Sequence, residues 1–189
     1  MADPEIDLLS IEKGAVTAPA GCGKTQLIAG ALSRHEGPKP VLVLTHTNAG
    51  VAALRGRLDR AGVAPSKYRV VTLDGFAMRL ISTFPKRSGH DPAILELANP
   101  ATDYPAIRNA AVQLLNEEHL DEILAATYDR LFVDEHQDCS QVQHEMVVFL
   151  ADPLRCCVLG DPMQAIFGFK GNALVDRDTD APDSVMRAS

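Results

Sequence analysis

Five short runs, GAVTA (14–18), PVLVLTH (40–46), YRVVTL (68–73), RLFVDE (130–135) and RCCVLGD (155–161), are nearly continuous in apolar residues. A strand with one wet face alternates polar and apolar positions, whereas an unbroken apolar run is buried on both faces, as in a parallel sheet covered by helices. Between these runs lie longer amphipathic stretches, which predict helices over 24–34, 49–62, 74–82 and 140–151. Alternation of the two predicts an α/β fold with a parallel sheet flanked by helices. From Phe84 to Asp129 the strand signal stops, and YPAIRNAAVQLLNEEHLDEILAATYDR carries apolar residues at three- and four-residue spacing. That stretch reads as a small helical insertion, its entry punctuated by Pro85, Gly89, Pro92 and Pro100. The expected organisation is therefore a first part of one α/β domain over 1–84, a helical insertion over 85–129, the rest of the domain over 130–175 and a polar tail over 176–189.

Composition narrows the class. With 46% hydrophobic and 23% charged residues over 189 positions, the chain has the profile of a soluble globular domain long enough to bury a core. No apolar run approaches the roughly 20 residues that span a bilayer, and the acidic start MADPEIDLL lacks the basic opening of a signal peptide, so a cytoplasmic protein without membrane contact is expected. The four cysteines, Cys22, Cys139, Cys156 and Cys157, lack a paired spacing and read as reduced thiols. His136, Cys139 and His144 fit no common zinc spacing. The net charge of −7 disfavours a broad nucleic-acid-binding face but leaves room for a narrow groove.

Chemistry concentrates in three segments. The first, APAGCGKTQ from Ala18 to Gln26, follows a predicted strand and opens a predicted helix, the context of a phosphate-binding loop with alanine at its first glycine position. Gly21 and Gly23 allow backbone N–H groups to turn towards phosphate oxygens, and the helix starting near Lys24 offers its positive end to the same anion. Ala18, Pro19, Ala20, Gly21, Cys22, Gly23, Lys24, Thr25 and Gln26 are thus the candidate nucleotide-binding residues. Lys24 is placed for the β- and γ-phosphates, and Thr25 for Mg²⁺. A dinucleotide fingerprint would need a third glycine where Gln26 stands.

In the second segment, LFVDEHQDCSQ, Asp134 and Glu135 end a buried strand, and ligands of open parallel sheets bind at that end. Asp134 is the candidate Mg²⁺ ligand and Glu135 the candidate base for an attacking water. Acidic residues also cap helices after strands, a role better suited to Asp138 or Ser140. The third segment, VLGDPMQAIFGFKGN, places Gln164 to sense a γ-phosphate. Its Phe167 and Phe169, on a glycine-rich loop beside Lys170, suit either a stacking platform for unpaired bases or simple packing of the loop. In the tail, DRDTD echoes a calcium loop, but Ala181 and Arg187 stand where its glycine and closing glutamate belong.

Taken in order, APAGCGKTQ, VLVLTHTNAGVAALRGRL, VTLDGFAMRL, LFVDEHQD and VLGDPMQAIFGFKG resemble successive motifs of the superfamily 1 DNA helicases related to UvrD, Rep and PcrA, over about residues 14 to 175. The resemblance implies a RecA-like domain that binds ATP and Mg²⁺ and takes part in ATP-driven movement along single-stranded DNA. It implies Lys24 and Thr25 as the phosphate-loop pair, Asp134 and Glu135 as the Mg²⁺ and catalytic acids, and Gln164 as the γ-phosphate sensor. It also implies a DNA face built from Thr47, Asn48, Thr72, Phe76, Phe167, Phe169 and Lys170, which favours the stacking role for Phe169.

Several positions depart from the family's habit. Residues 1 to 17 hold no glutamine to read adenine, His46 replaces a common phenylalanine, and Phe169 stands where tryptophan is frequent. Asp74 replaces a frequent histidine and would repel a phosphate if it faced one. The family's second RecA-like domain, which supplies arginines to the γ-phosphate, would have to act in cis or in trans; without it, slow hydrolysis and no unwinding are expected. An alternative in a different class is an ATP-gated switch that docks a protein partner, and a small-molecule phosphotransferase is disfavoured by the pairing of VDEHQD with GDPMQ.

Overall fold

The computed structural model describes residues 6–17, 23–117, 119–161 and 186–187. In chain order the elements are β1 (Lys13–Thr17), α1 (Lys24–Arg34), β2 (Val41–Thr45), α2 (Asn48–Arg60), β3 (Tyr68–Thr72), α3 (Leu73–Thr83) and the short α4 (Pro85–Ser88). There follow α5 (Pro100–Leu115), α6 (His119–Thr127), β4 (Arg130–Val133), α7 (Gln141–Ala151), β5 (Arg155–Gly160) and a two-residue β6 (Met186–Arg187). The strands form one sheet in the order β3-β2-β4-β5-β1-β6, parallel throughout. Parallel neighbours need crossover connections, which the helices supply while covering both faces.

The two faces explain why the strands are nearly continuous in apolar residues. Leu42, Leu44, Leu131, Val133 and Cys156 face one core, shared with α3, α5 and α7. Their alternates Val41, Val43, Phe132 and Cys157 face the other, shared with Ile28, Leu32, Leu54 and Leu58 of α1 and α2. The central strands β2 and β4 therefore have no polar side to spare. The cysteines belong to this packing, since burial pushes the thiols of Cys156 and Cys157 up to about 12.

Helical residues between α3 and β4 join the first core directly. Ile107, Ala110, Ala111, Leu114 and Leu115 recur at three- and four-residue spacing along α5 and are buried with the strand residues just named. Capping fixes where the neighbouring helices begin. The hydroxyls of Thr47 and Thr72 accept from the N–H groups of Gly50 and Gly75, both at 3.0 Å, and Ser140 and Gln143 form a reciprocal capping box at the start of α7. At the opposite edge of the sheet Arg130, 4% exposed, donates to the carbonyls of Leu8 and Leu9 at 3.3 and 2.7 Å and to Asp129 at 3.1 Å. This guanidinium fastens the segment before β1 onto the domain.

Two outcomes check this packing. Leu114→Ala should cost about 2–5 kcal/mol because it opens a cavity beneath α5, and urea unfolding should remain one cooperative transition if α5 belongs to the sheet's core. At pH 8 the neutral, buried thiols of Cys156 and Cys157 should resist iodoacetamide in the native protein and be alkylated after denaturation, as read by mass spectrometry.

Candidate nucleotide site at the carboxyl edge of the sheet

Strand register brings the candidate residues to one edge. Thr17 at the end of β1 pairs with Gly160 at the end of β5, and Val133 at the end of β4 pairs with Val158. The N–H of Asp134 then donates to the carbonyl of Leu44 at 2.8 Å, so β4 is held against β2 up to the first acid. Beyond it the chain turns away. Glu135 adopts φ 53° and ψ 45°, the left-handed region that an L residue enters at a cost of about 1–2 kcal/mol. Such strain persists where surrounding contacts hold it, and it collects at functional sites.

Those contacts are charged. Lys24, the first residue of α1, is only 5% exposed, and its Nζ lies 3.6 Å from Oε2 of the half-buried Glu135. A buried ammonium is tolerable only beside a counter-charge, so the acid loop and the start of α1 stabilise each other's placement. Asp134 is 7% exposed, and its carboxyl is pushed up to about 6, first by burial and then by the charge of Glu135. The N–H of Glu135, which donates to Asp134 Oδ1 at 3.1 Å, and the charge of Lys24 oppose that rise. Adjacent acids thus have different environments, one enclosed and one partly open.

The beginning of α1 suits an anion. Its N-cap Gly23 has φ 80°, natural for glycine, and no side chain caps this end of the helix. Helix ends of this kind present backbone N–H groups and a partial positive charge to phosphate oxygens. Thr25 sits in the first turn, while the exposed Gln26 accepts from Arg57 of α2 at 2.6 Å. Ala18, Pro19, Ala20, Gly21 and Cys22 lie outside the described residues, as do Gln164, Phe167, Phe169 and Lys170.

A second group of candidates clusters where β2 and β3 end. Thr47 and Asn48 are exposed at the start of α2, and Thr72 is half-buried at the start of α3. Phe76, by contrast, is 4% exposed and its ring belongs to the core beneath that face. Asp74 does not present an unpaired charge. Arg108 of α5 grips it with two hydrogen bonds, Nε to Oδ1 at 2.7 Å and Nη2 to Oδ2 at 2.8 Å, and Gln143 of α7 donates to Oδ1 at 3.1 Å. The expected repulsion of a phosphate by Asp74 is therefore corrected, because its charge is neutralised within the fold. Hydrogen bonding to Asp74 holds the Arg108 guanidinium above its ordinary range.

Around the acid loop, His46 Nε2 lies 3.3 Å from Cys139 Sγ, and burial lowers the pKa of that imidazole. His136 Nε2 and His144 Nδ1 approach to 3.2 Å with their rings edge to face. Gln137 was not singled out by its sequence context, although it lies within the acid segment. It is 5% exposed and reaches both Glu135 and Asp161.

A wholly parallel sheet with a helix opening at a lysine after β1 and two acids closing β4 defines a RecA-like α/β domain. Residues 93–175 match the UvrD/REP helicase N-terminal domain, which together with the relatives below supports a UvrD-like helicase N-terminal domain in this chain. It is similar to an ATP-dependent helicase/nuclease subunit of Lactococcus lactis subsp. lactis, 34% identical over 71 residues, which is 37% of this chain and 6% of that protein. "Exonuclease/helicase subunit RexA" of Lactococcus lactis subsp. cremoris matches to the same extent. "Gabija protein GajB" of Bacillus cereus is 24% identical over 205 aligned positions, covering 87% of this chain and 41% of that protein. The chain thus spans a small part of the two Lactococcus proteins and under half of GajB. No helix among the described residues is long and apolar enough to cross a membrane.

The Asp74–Arg108 pair generates a stability prediction. Arg108→Ala leaves a largely buried carboxylate and should cost about 1–3 kcal/mol in urea unfolding. Arg34→Ala, which removes a half-exposed partner of Asp7 at 3.2 Å, should cost about 0–1 kcal/mol.

Proposed function

We propose that the chain is the ATP-binding domain of a UvrD-like DNA helicase, in which ATP hydrolysis drives movement along single-stranded DNA. The observation that carries this reading is the buried Lys24 paired with Glu135 at the carboxyl edge of the sheet, beside an uncapped helix end. It joins the features a phosphoryl-transfer site requires: a fixed cation, an anion cradle and two acids.

Magnesium-bound ATP would supply the anhydride to be cleaved and an ion that offsets its charge. The start of α1, together with 18–22, would cradle the phosphates through backbone N–H groups. Lys24 would turn from Glu135 towards the phosphates, while Thr25 and Asp134 would hold the Mg²⁺. Binding of the ion to Asp134 would favour the ionised form that burial opposes. Glu135, relieved of Lys24, would orient a water and accept its proton, and Gln164 would sense the γ-phosphate. Thr47, Asn48 and Thr72 would meet the DNA backbone from the same edge of the sheet, with Phe167 and Phe169 stacking on bases beside Lys170. Phe76 would support this face from below. A second RecA-like domain, in cis or in trans, would add an arginine worth about 10³–10⁵ in rate.

The test is ATP hydrolysis by the 189-residue chain, with and without oligo-dT, alongside direct titration of Mg-ATP. Lys24→Ala should abolish Mg-ATP binding, and Glu135→Gln should keep binding but lose turnover. Wild-type hydrolysis should be slow, exceed that of Glu135→Gln, and rise with DNA. Undiminished affinity in Lys24→Ala would remove the reading. Nucleotide binding with turnover indifferent to DNA would instead favour an ATP-gated switch that docks a protein partner, a role compatible with the net charge of −7.

A further inference from the structure

We propose that Gln137 is a positioning residue that aims the carboxylate of Glu135 and ties it to Asp161 at the exit of β5. The inference rests on the reading of Glu135 as the base in ATP hydrolysis. Gln137 lies in a single 3₁₀ turn, His136–Asp138, immediately after the left-handed Glu135, and is 5% exposed. Its carboxamide makes two hydrogen bonds in opposite directions. Oε1 accepts from the backbone N–H of Asp161 at 2.8 Å, and Nε2 donates to Glu135 Oε2 at 2.6 Å.

The orientation of that amide is dictated by its partners. A backbone N–H can only donate, so the amide oxygen must face Asp161, and the amide nitrogen must then face Glu135. A donor held against Oε2 keeps that oxygen an acceptor. Lys24 Nζ also approaches Oε2, at 3.6 Å. Both contacts fall on the same oxygen, which gives Oε1 the role of proton acceptor. Glu135 is 38% exposed, and an open glutamate would otherwise populate several rotamers. Once phosphates draw Lys24 away, the Gln137 amide still fixes the carboxylate.

The second bond has its own consequence. Asp161, 3% exposed, directly follows β5 and precedes the residues that lead to Gln164. Displacement of Asp161 therefore reaches Glu135 through the buried Gln137 side chain. The geometry makes Gln137 a link between Glu135 and Asp161, which stands three positions before Gln164 in the sequence.

Gln137→Glu separates aiming from fastening, because it retains an acceptor for the Asp161 N–H, keeps the same length and reverses the group facing Glu135. Single-turnover ATP hydrolysis with protein in excess should fall about 100-fold, while Mg-ATP affinity stays within about threefold. Amide exchange at Asp161, followed by NMR, should stay slow in Gln137→Glu and become fast in Gln137→Met, which lacks both bonds. Turnover within threefold of wild type in Gln137→Glu, with Asp161 still protected, would overturn the inference and leave Gln137 a strap between loops. Loss of Mg-ATP binding by Gln137→Glu would also overturn it, because the residue would then serve the binding fold and not the aim of Glu135. Wild-type turnover no higher than that of Glu135→Gln would defeat the hydrolysis reading itself, and this inference with it.

Discussion

Enclosing the ammonium of Lys24 at 5% exposure is the constraint on which the site depends. An unpaired charge there would be untenable, and Glu135 can answer it only by leaving β4 through a left-handed turn, since an extended residue 135 would continue the strand direction instead. The backbone strain at Glu135 and the ion pair are thus two halves of one arrangement. The same turn sets Asp134 apart, with its N–H in the sheet ladder and its carboxyl enclosed, so that two neighbouring acids acquire unlike chemistry. A divalent ion would suit the enclosed acid and proton transfer the more open one.

The all-parallel sheet is what allows this convergence. Its strands end at one edge with β5 between β1 and β4, so the strand before Lys24 and the strand before the two acids are separated by a strand whose own exit carries Asp161. Gln137 bonds that exit to the acid segment. The opposite side of the acid loop is tied elsewhere: Gln143, which accepts from the Ser140 N–H at 3.0 Å, also donates to Asp74, and Asp74 is held by Arg108. Helix α5 therefore touches the acid segment through polar contacts as well as through the core beneath it.

Much of this architecture was legible in the residues. The five main strands and the helices α1, α2, α3 and α7 lie within two residues of their expected ends, because burial on both faces leaves an unbroken apolar run and helical faces leave a three-to-four-residue rhythm. The strand expected over 130–135 stops at Val133, since no periodicity reports that a glutamate will take a positive φ. Lys24, Asp134 and Glu135 were legible because their chemistry is written into short segments with fixed neighbours. Arg108 was not, as its partner Asp74 lies 34 residues away, and an exposed arginine looks the same in sequence as a paired one. Phe76 was read for its motif and not for its rhythm, although Leu73, Phe76, Ala77 and Leu80 mark the buried face of α3.

An acid at position 74 looks damaging to a phosphate-facing surface if considered alone, and the fold shows how it is accommodated. The carboxylate is largely enclosed, meets a planar guanidinium through two bonds and accepts a third from an amide, which satisfies it more completely than solvent-exposed pairing would. Asp74 supplies a fastening between the start of α3, the helical segment 100–115 and the helix that follows the acids. A DNA backbone crossing this face would then be met by the exposed ends of α2 and α3, Thr47, Asn48 and Thr72, and not by the side chain at 74. Contacts of that kind come from hydroxyls, an amide and helix-start N–H groups, and they read the shape of the backbone without reading its bases.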